Sequence, residues 1–191
     1  MRFRSYPSSL LFEYLDTILP TLTAVINKFF NFCIFPPVYE AAIVKPLLKK
    51  SSLEHNNLKN FRPVSNLSLV SKIIEKVILS QLFSHLCTNQ LFNPFQSAYR
   101  PGHSTETALS KVMNDLLCSL DHENVFVLTL LDLSAAFDLI DHTILLHCLE
   151  HVFGIHDTAL HWFSSYLTNR TQTVTVNNCS SAPVPISCGV Q

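Results

Sequence analysis

Apolar residues recur at three- and four-residue intervals in several stretches of the chain, and this spacing predicts amphipathic helices. Two helical stretches are predicted between about residues 8 and 34, with Pro20 at a break or in a first turn. Four more helices are predicted further along: from Asn66 to about Leu86, from Ser104 through Leu120, from about 142 to 152, and from 157 to 168.

Three stretches have the pattern of β-strands. Residues 41–44 are short and apolar, and residues 171–176 alternate between polar and apolar side chains, with a possible return over 184–188. The apolar run at 125–131 is almost continuous, which is typical of a buried strand, and it ends at Asp132. Because helices and strands are mixed without a repeat or a Pro/Gly-rich linker, the sequence predicts one α+β unit.

Composition narrows the class of protein. The chain has 191 residues, of which 48% are hydrophobic and 14% are charged, against roughly 25% charged in an ordinary soluble domain. This composition excludes a disordered chain and suggests that some apolar surface is covered by another surface. Only three glycines occur, so the chain cannot contain a P-loop or a Rossmann dinucleotide-binding motif.

The charges are distributed unevenly along the chain. The net charge is −1, but residues 1–111 hold twelve of the thirteen Lys and Arg residues, and residues 112–191 hold eight of the fourteen Asp and Glu residues. This asymmetry suggests a phosphate-binding surface beside a cation site. Chance clustering of solvated charges is the alternative.

The cysteines and the N-terminal segment indicate the cellular compartment in which the protein is expected. Six cysteines without regular spacing predict reduced, buried thiols rather than a disulfide framework. The first twenty residues predict an amphipathic helix rather than a signal peptide, because Glu13 and Asp16 interrupt the apolar stretch. No uncharged apolar run of 18 residues occurs. We therefore expect an intracellular protein of the nucleus or cytoplasm, not secreted and without a membrane span.

The segment Leu130-Leu-Asp-Leu-Ser-Ala-Ala-Phe-Asp138 contains the strongest candidate for chemistry. A carboxylate such as Asp132 at the end of a buried strand is costly unless it is paired, and a metal ion is a common partner. The alternative is that Asp132 caps a helix that follows the strand.

Five segments, in this order, resemble the reverse transcriptase of LINE-type (non-long-terminal-repeat) retrotransposons. They are Lys45-Pro-Leu-Leu-Lys-Lys50, Asn60-Phe-Arg-Pro-Val-Ser-Asn-Leu-Ser68, Phe95-Gln-Ser-Ala-Tyr-Arg-Pro-Gly-His-Ser-Thr-Glu-Thr-Ala-Leu109, Leu130-Leu-Asp-Leu-Ser-Ala-Ala-Phe-Asp138 and Trp162-Phe-Ser-Ser-Tyr-Leu-Thr-Asn-Arg170. The resemblance implies a partial right-hand polymerase fold, with fingers and an incomplete palm in which helices pack on a small, mostly antiparallel sheet. It divides the chain into an N-terminal helical extension (1–35) and a partial reverse transcriptase domain (36–191).

The resemblance also implies roles for residues in the palm. Asp132 matches the first metal-binding aspartate, and the carbonyl of Leu133 is expected to reach the same metal ion. Phe137 falls at the aromatic gate that excludes a ribose 2′-hydroxyl. Gln191 matches the glutamine of the G-V-P-Q-G-S motif near the incoming nucleotide, although this chain lacks the proline and reads Gly189-Val190-Gln191.

Three basic residues match the fingers. Arg100 lies in the motif that resembles the family's triphosphate contact, and Arg62 and Lys49 belong to the same basic region. The implied partners are an RNA template, a DNA primer and deoxynucleoside triphosphates, and the implied cofactor is Mg²⁺. Two-metal nucleotidyl transfer would account for both the basic and the acidic half of the chain.

The match to the family is incomplete. The family supplies further catalytic carboxylates from a hairpin with paired aspartates, downstream of the G-V-P-Q motif, and the sequence ends before that hairpin and before the thumb. Asp138 and Asp141 are expected to be exposed or to cap a helix. Since one aspartate cannot hold two metal ions, we expect no DNA polymerisation by this chain alone.

Three alternatives to the enzyme remain open. The first is a non-enzymatic remnant that at most binds nucleic acid through its basic half. The second is an aggregation-prone product with an exposed strand at 125–131. The third, a zinc peptidase, rests on the H-x-x-E-H motif at His147 and His151 and is disfavoured because a third ligand is not evident. Trp162, Phe163 and Tyr166 could stack on bases, but their helical spacing favours packing.

Overall fold

The computed structural model describes residues 13–133, 136–177 and 179–189. Predictions for Gln191 and for the other residues outside these ranges therefore lie outside the described structure. The helices are α1 (Leu15–Asn31), α2 (Leu69–Thr88), α3 (Thr105–Asp121), α4 (His142–His151) and α5 (Asp157–Leu167). The strands are β1 (Ala41–Leu48), β2 (Phe61–Asn66), β3 (Thr171–Val176), β4 (Cys179–Ser180) and β5 (Val184–Pro185), with short 3₁₀ turns at Pro37–Tyr39 and Leu58–Asn60.

The strands form one small mixed sheet in the order β2-β1-β3-β4, with β5 also paired to β3. Antiparallel pairing joins β1 to β2 and β3 to both β4 and β5, whereas β1 and β3 are parallel. The combination of helices with a small, mostly antiparallel sheet confirms the predicted α+β class. The sequence predicts that one strand over 184–188 returns alongside β3. The structure instead has two short strands, β4 and β5, that pair with β3.

Two prolines face each other in the β1–β2 ladder without breaking it. Pro46 is paired with Pro63, and Lys49 donates its backbone N–H to Asn60 three positions away at 2.8 Å. Because hydrogen-bonded and non-hydrogen-bonded pairs alternate in an antiparallel ladder, Pro46 and Pro63 form a non-hydrogen-bonded pair that needs no N–H. Pro46 consequently lacks a donor on the β3 side, and the parallel pairing with β3 ends at Val44.

The chain divides into two compact units, one formed by residues 1–79 and 135–191 and the other by residues 80–134. In the first unit, Ile26, Phe35, Ile74 and Trp162 form a buried cluster. Phe35 is fully buried and meets the rings of Trp162 and Tyr166 edge-on, with centroids 6.0 and 5.0 Å away. Trp162 is thus a core residue, and the prediction that these aromatic residues pack is confirmed.

Most helices are found where the apolar periodicity predicts them. The predicted break at Pro20 is wrong, because α1 continues through it. Pro20 removes one backbone hydrogen bond from the helix, while the same helix buries Ile26 in the core, and this packing offsets the loss.

The buried strand predicted at 125–131 is absent. These residues have no regular secondary structure and are exposed, and the ladders of the sheet involve other segments. A strand is held by hydrogen bonds to its neighbours, and an apolar run does not specify that a neighbour exists. Among the described residues after Asp132, residues 136–139 form a turn rather than the helix that Asp132 would cap in the alternative interpretation.

The second unit differs from the first in its burial. Within its described part, residues 80–133, no side chain is buried. Helix α3 carries large apolar side chains that are more than half exposed, namely Leu109, Met113, Leu117 and Leu120. Apolar surface is therefore left uncovered here, as the low charge content suggests.

Candidate functional site

Three basic side chains share one face of the β1–β2 hairpin. Along β1, residues Ala42 and Val44 point to the buried side, so Lys45 and Lys49 point to the opposite, exposed side. Arg62 is paired with Leu47, and directly opposed residues of an antiparallel pair lie on the same face. We call Lys45, Lys49 and Arg62 the basic strand face.

The ladder fixes the spacing of the basic strand face. Lys49 and Arg62 are diagonal neighbours across the two strands, which places their Cβ atoms roughly 7–8 Å apart. Lys49 also donates from Nζ to the carbonyl of Lys59 at 2.8 Å, so its ammonium is held beside the hairpin turn. The structure thus brings together two of the basic residues predicted from the sequence.

Arg100 lies in the second unit, in the loop before α3. Its Nη1 donates to the carbonyls of Asn93 and Gln96 at 3.4 and 3.1 Å, and its guanidinium lies 5.2 Å from the centre of the Phe92 ring. A guanidinium has five N–H donors. In the described residues only Nη1 is used, so Arg100 can order its loop and still bind an anion.

Asp132 and Leu133 are exposed and belong to the irregular stretch that follows the apolar run. The sequence predicts Asp132 at the end of a buried strand, and that placement is wrong because the strand does not form. The role of either residue in binding a metal ion stays a prediction.

Phe137 lies in the turn at 136–139 and is half exposed. The chain returns close to this turn at Gly189, whose N–H donates to the Ile140 carbonyl at 2.7 Å. Gly189 has φ +85°, and a Cβ there would lie 3.0 Å from the backbone of Asp138, so only glycine is accommodated. Gly189, the first residue of the Gly-Val-Gln stretch, therefore lies next to the turn that carries Phe137.

Asp141 is a helix cap. Its Oδ1 accepts the N–H groups of Thr143 and Ile144 at 2.8 and 3.0 Å, at the start of α4. The hydrogen bond from Ile144, followed by that from Thr143, holds the pKa of Asp141 below its usual value. The prediction that this aspartate caps a helix is confirmed.

A buried cation was missed by sequence reasoning. Arg170 is 4% exposed, and its guanidinium lies 4.5 Å from the ring of Tyr166 and 5.1 Å from that of Phe35. Its Nη1 donates to the Tyr39 carbonyl at 3.2 Å. The only signal in the sequence is that Arg170 is the single Lys or Arg among 112–191 and ends one of the family-like segments.

Tyr166 connects this cation to α2. Its hydroxyl donates to Oε1 of Glu75 at 3.0 Å. Burial, with a further contribution from the Glu75 carboxylate, raises the pKa of Tyr166 to about 12. Glu75, Tyr166 and Arg170 therefore form a line of polar contacts inside the first unit.

The H-x-x-E-H histidines lie one turn apart on α4 with their rings stacked, centroids 4.1 Å apart. His151 Nδ1 is 3.1 Å from the carbonyl of His147. Among the described residues, no group of three His, Cys, Asp or Glu side chains is placed to hold a metal ion. The geometry gives the zinc peptidase alternative no support.

The same test applies to Mg²⁺. Mg²⁺ takes six oxygen ligands, usually one or two carboxylates together with waters and substrate phosphates. Asp132 is exposed, and the described part of the chain contains no group of three His, Cys, Asp or Glu side chains that could hold a metal ion. These residues do not assemble a magnesium site, and no catalytic step through a metal ion follows from this geometry.

The class of protein is established by a family comparison. The model of the reverse transcriptase (RNA-dependent DNA polymerase) family matches residues 47–191, which include the basic strand face residues Lys49 and Arg62 and the Phe137 turn. The chain therefore belongs to the reverse transcriptase family, which generally uses a divalent metal ion.

Individual relatives narrow the class to LINE-type elements. The chain is 27% identical over 175 residues to an RNA-directed DNA polymerase from the mobile element jockey of Drosophila melanogaster, covering 92% of this chain and 19% of that protein. It is 25% identical over 169 residues to a probable RNA-directed DNA polymerase from transposon BS of the same fly, covering 88% of this chain and 18% of that protein. An uncharacterized 149 kDa protein of transposon TX1 from Xenopus laevis is 28% identical over 177 residues, covering 92% of this chain and 13% of that protein.

These relatives confirm that the chain is part of a transposon reverse transcriptase domain. It spans about a fifth of the length of the two fly proteins. No helix in the described ranges combines the length and the apolar character needed to cross a bilayer.

Proposed function

We propose that residues 36–191 form the fingers and the first part of the palm of a right-hand polymerase, with residues 1–35 as a helical extension. In this proposal the chain takes part in RNA-directed DNA synthesis in the nucleus or cytoplasm. Its partners are an RNA template, a DNA primer and deoxynucleoside triphosphates. The names of the fly relatives as RNA-directed DNA polymerases support this proposal.

The basic strand face is the observation that carries the proposal. Three cations project from one exposed side of a two-stranded hairpin whose ladder fixes their spacing. Phosphate groups along a nucleic-acid backbone are the natural ligands of such a row. Apolar side chains on the same face, Ile43, Leu47 and Val64, are also exposed and can contact sugars and bases between the phosphates.

The remaining site residues have the roles that the resemblance implies. By the resemblance, Asp132 would contribute a carboxylate and Leu133 a carbonyl to a Mg²⁺ site that the described residues do not complete. Arg100 would bind the triphosphate, Phe137 would exclude a ribose 2′-hydroxyl, and Gln191 would lie near the incoming nucleotide. The proximity of Gly189 to the Phe137 turn supports placing these last two residues in one region.

Binding to a primed RNA template, measured by fluorescence anisotropy over a range of salt concentrations, tests the basic strand face. Replacing Lys49 and Arg62 together with Gln should weaken binding at low salt. It should also reduce the slope of log K against log salt by roughly 1.5, since each lost phosphate contact removes about 0.7–0.9.

Lys76→Gln is the matched control, because Lys76 is an exposed cation on α2, outside the hairpin. It should leave the slope nearly unchanged. An equal loss of slope in the control and in the double variant would show that binding is non-specific and would contradict the proposal.

Primer extension distinguishes an enzyme from the alternative, a remnant that only binds nucleic acid. With Mg²⁺ and the chain alone, we expect no extension, because one carboxylate cannot hold two metal ions. Extension that is lost in Asp132→Ala would show that a complete site forms, for example between chains. Salt-dependent binding without extension would favour the binding remnant for the chain alone.

A further inference from the structure

The Phe137 turn, residues 136–139, is not held in place by burial. All four of its residues are exposed, with Phe137 at 54% and Leu139 at 71%. A segment that buries little opens at low free-energy cost unless hydrogen bonds to its neighbours hold it. The segments beside the turn therefore determine how firmly the Phe137 ring is placed.

Residues 188–189 lie beside the end of this turn. Gly189 donates its N–H to the Ile140 carbonyl at 2.7 Å, and Cys188 forms an antiparallel β-bridge with Asp141. The backbone of Gly189 also packs on that of Asp138, since a Cβ at Gly189 would lie 3.0 Å from the Cα and carbonyl oxygen of Asp138. The two segments thus run side by side where the turn leads into α4.

His142, the first residue of α4, adds a side-chain contact to this pairing. Its Nε2 lies 2.8 Å from the carbonyl oxygen of Gly189, 47 residues later, in a partly buried position. A carbonyl oxygen can only accept a hydrogen bond, so Nε2 carries a hydrogen and donates it. Gly189 is consequently held at both its N–H and its carbonyl group, by Ile140 and His142.

We propose that His142 is a positioning residue that fixes Gly189 against the Phe137 turn and thereby restrains the ring that selects the sugar of the incoming nucleotide. Its role in sugar selection rests on the proposed function of Phe137, whereas its hold on Gly189 does not. Asp141 supports this arrangement, because its carboxylate caps α4 through the N–H groups of Thr143 and Ile144. The cap fixes the helical turn from which His142 reaches Gly189.

The place of the donor on the side chain determines which replacements keep the contact. The amide nitrogen of Gln stands as many bonds from Cα as Nε2 of His, whereas that of Asn is one bond nearer to Cα. His142→Gln should therefore keep the hydrogen bond, and His142→Asn should lose it. His142→Phe keeps an aromatic ring of similar size but has no donor.

Hydrogen exchange of the Gly189 amide, followed by NMR on the whole chain, tests the contact. Exchange should be roughly two- to tenfold faster in His142→Asn and His142→Phe, because one hydrogen bond is lost, and should stay near the wild-type rate in His142→Gln. His161→Asn, at an exposed position on α5, is the matched control and should leave the rate unchanged. Amides of β1 should exchange alike in all variants, which separates loss of this contact from general destabilisation.

A fluorine label on the Phe137 ring tests whether the contact positions the turn. With para-fluorophenylalanine at residue 137, the wild type and His142→Gln should give the same fluorine chemical shift. His142→Asn and His142→Phe should give a shifted or broadened signal, because the turn then samples more positions. An unchanged signal in all variants would show that His142 holds Gly189 without positioning Phe137.

Nucleotide binding tests the consequence for sugar selection. In the presence of a primed RNA template, the preference of the wild type for dTTP over UTP should be kept in His142→Gln and should fall in His142→Asn and His142→Phe. A wild type without any such preference would contradict the proposed role of Phe137, and with it the role of His142 in sugar selection. The Gly189 exchange rates decide the hold on Gly189 separately.

Two exchange results would overturn the positioning role. Equal Gly189 exchange in the wild type and in His142→Phe would show that the Nε2 hydrogen bond does not hold Gly189. A loss of protection in His142→Gln as large as that in His142→Asn would show that a donor at this distance is not sufficient, so that the hydrogen bond is not the cause.

Discussion

Arg170 is a charged residue at a buried position between aromatic rings, where an apolar side chain is usual. The positive charge of Arg170 is stabilised by the π faces of Phe35 and Tyr166 and by one backbone carbonyl. Among the described residues, no carboxylate forms an ion pair with it. Nη2 of Arg170 is buried and has no hydrogen-bond partner in the described structure. A planar, weakly hydrated guanidinium is suited to such a site, whereas a compact ammonium is not.

Replacing Arg170 with Lys should therefore destabilise the first unit. The ammonium keeps the charge but loses the planar stacking and the bond to Tyr39, and we expect a loss of about 1.5–3 kcal/mol in the free energy of unfolding. Urea unfolding followed by Trp162 fluorescence measures this loss. Arg62→Lys, at an exposed position, should change the free energy of unfolding by no more than about 0.5 kcal/mol. Equal losses in the two variants would contradict the stabilising role of the Arg170 guanidinium.

Tyr166 should titrate later than an ordinary tyrosine. Its pKa is raised to about 12, so between pH 10 and 12 the folded chain keeps a proton that the unfolded chain loses. The contribution of Tyr166 to the free energy of unfolding is therefore fully present below about pH 10 and decreases as the pH rises toward 12. Absorbance titration of the phenolate, taken as the difference between the wild type and Tyr166→Phe, should show a midpoint near pH 12. A midpoint near 10 would mean that Tyr166 is not buried against Glu75.

The residues around Arg170 show why such a site escapes prediction. Phe35 and Tyr39 are about 130 positions from Arg170, as the separation of 131 for the Arg170–Tyr39 bond shows. Nothing local to residues 166–170 indicates which rings will cover the guanidinium. In contrast, the capping role of Asp141 could be predicted, because the two N–H groups that donate to its carboxylate lie within three residues of it.

At the scale of elements, α3 begins with a reciprocal cap. The Ser104 hydroxyl accepts the N–H of Thr107 at 3.3 Å, and the Thr107 hydroxyl accepts the N–H of Ser104 at 2.9 Å. Since α3 buries none of its side chains, this cap contributes a larger share of its stability than in a packed helix.

Replacing Ser104 with Ala should loosen the start of α3. A lost N-cap costs about 1 kcal/mol, which corresponds to roughly fivefold faster hydrogen exchange of the first-turn amides by the same principle. Ser110→Ala, at an exposed position within α3, should leave those rates unchanged or slower. Unchanged exchange in Ser104→Ala would show that contacts other than the cap hold the helix.

Helices and the apolar run differ in how far the sequence determines them. The hydrogen bonds and caps of α2 to α5 are local, so periodicity and capping residues are sufficient to predict them. The bonds of a strand are made to another segment, and the apolar pattern of 125–131 does not identify that segment. For the same reason the sequence pattern predicts strands at β1 and β3 but does not predict that they pair in parallel.

For the whole molecule, the two units should differ in stability. Buried residues are found in the first unit, and none of the described side chains of the second is buried. Regions with little burial open at low free-energy cost. Amides of residues 125–133 should therefore exchange near the rates of an unstructured peptide, while those of β1 stay protected.

Hydrogen exchange followed by mass spectrometry on the dilute protein measures this difference. Equal protection of both segments would show that the second unit is stabilised by more than its visible packing.

The central strand of the sheet also constrains how the protein can be made. Strand β1 pairs with β2 a few residues later, but its other neighbour begins at Thr171, which is aligned with Ala41 130 residues earlier. At about 5–20 residues per second, a ribosome needs roughly 6–26 s to synthesise that interval. During this time the nascent hairpin exposes one edge of β1, and Pro46 already blocks part of that edge. The sheet is therefore completed only after residue 171 has been synthesised, and a chaperone that shields the waiting edge would raise the yield of folded chain.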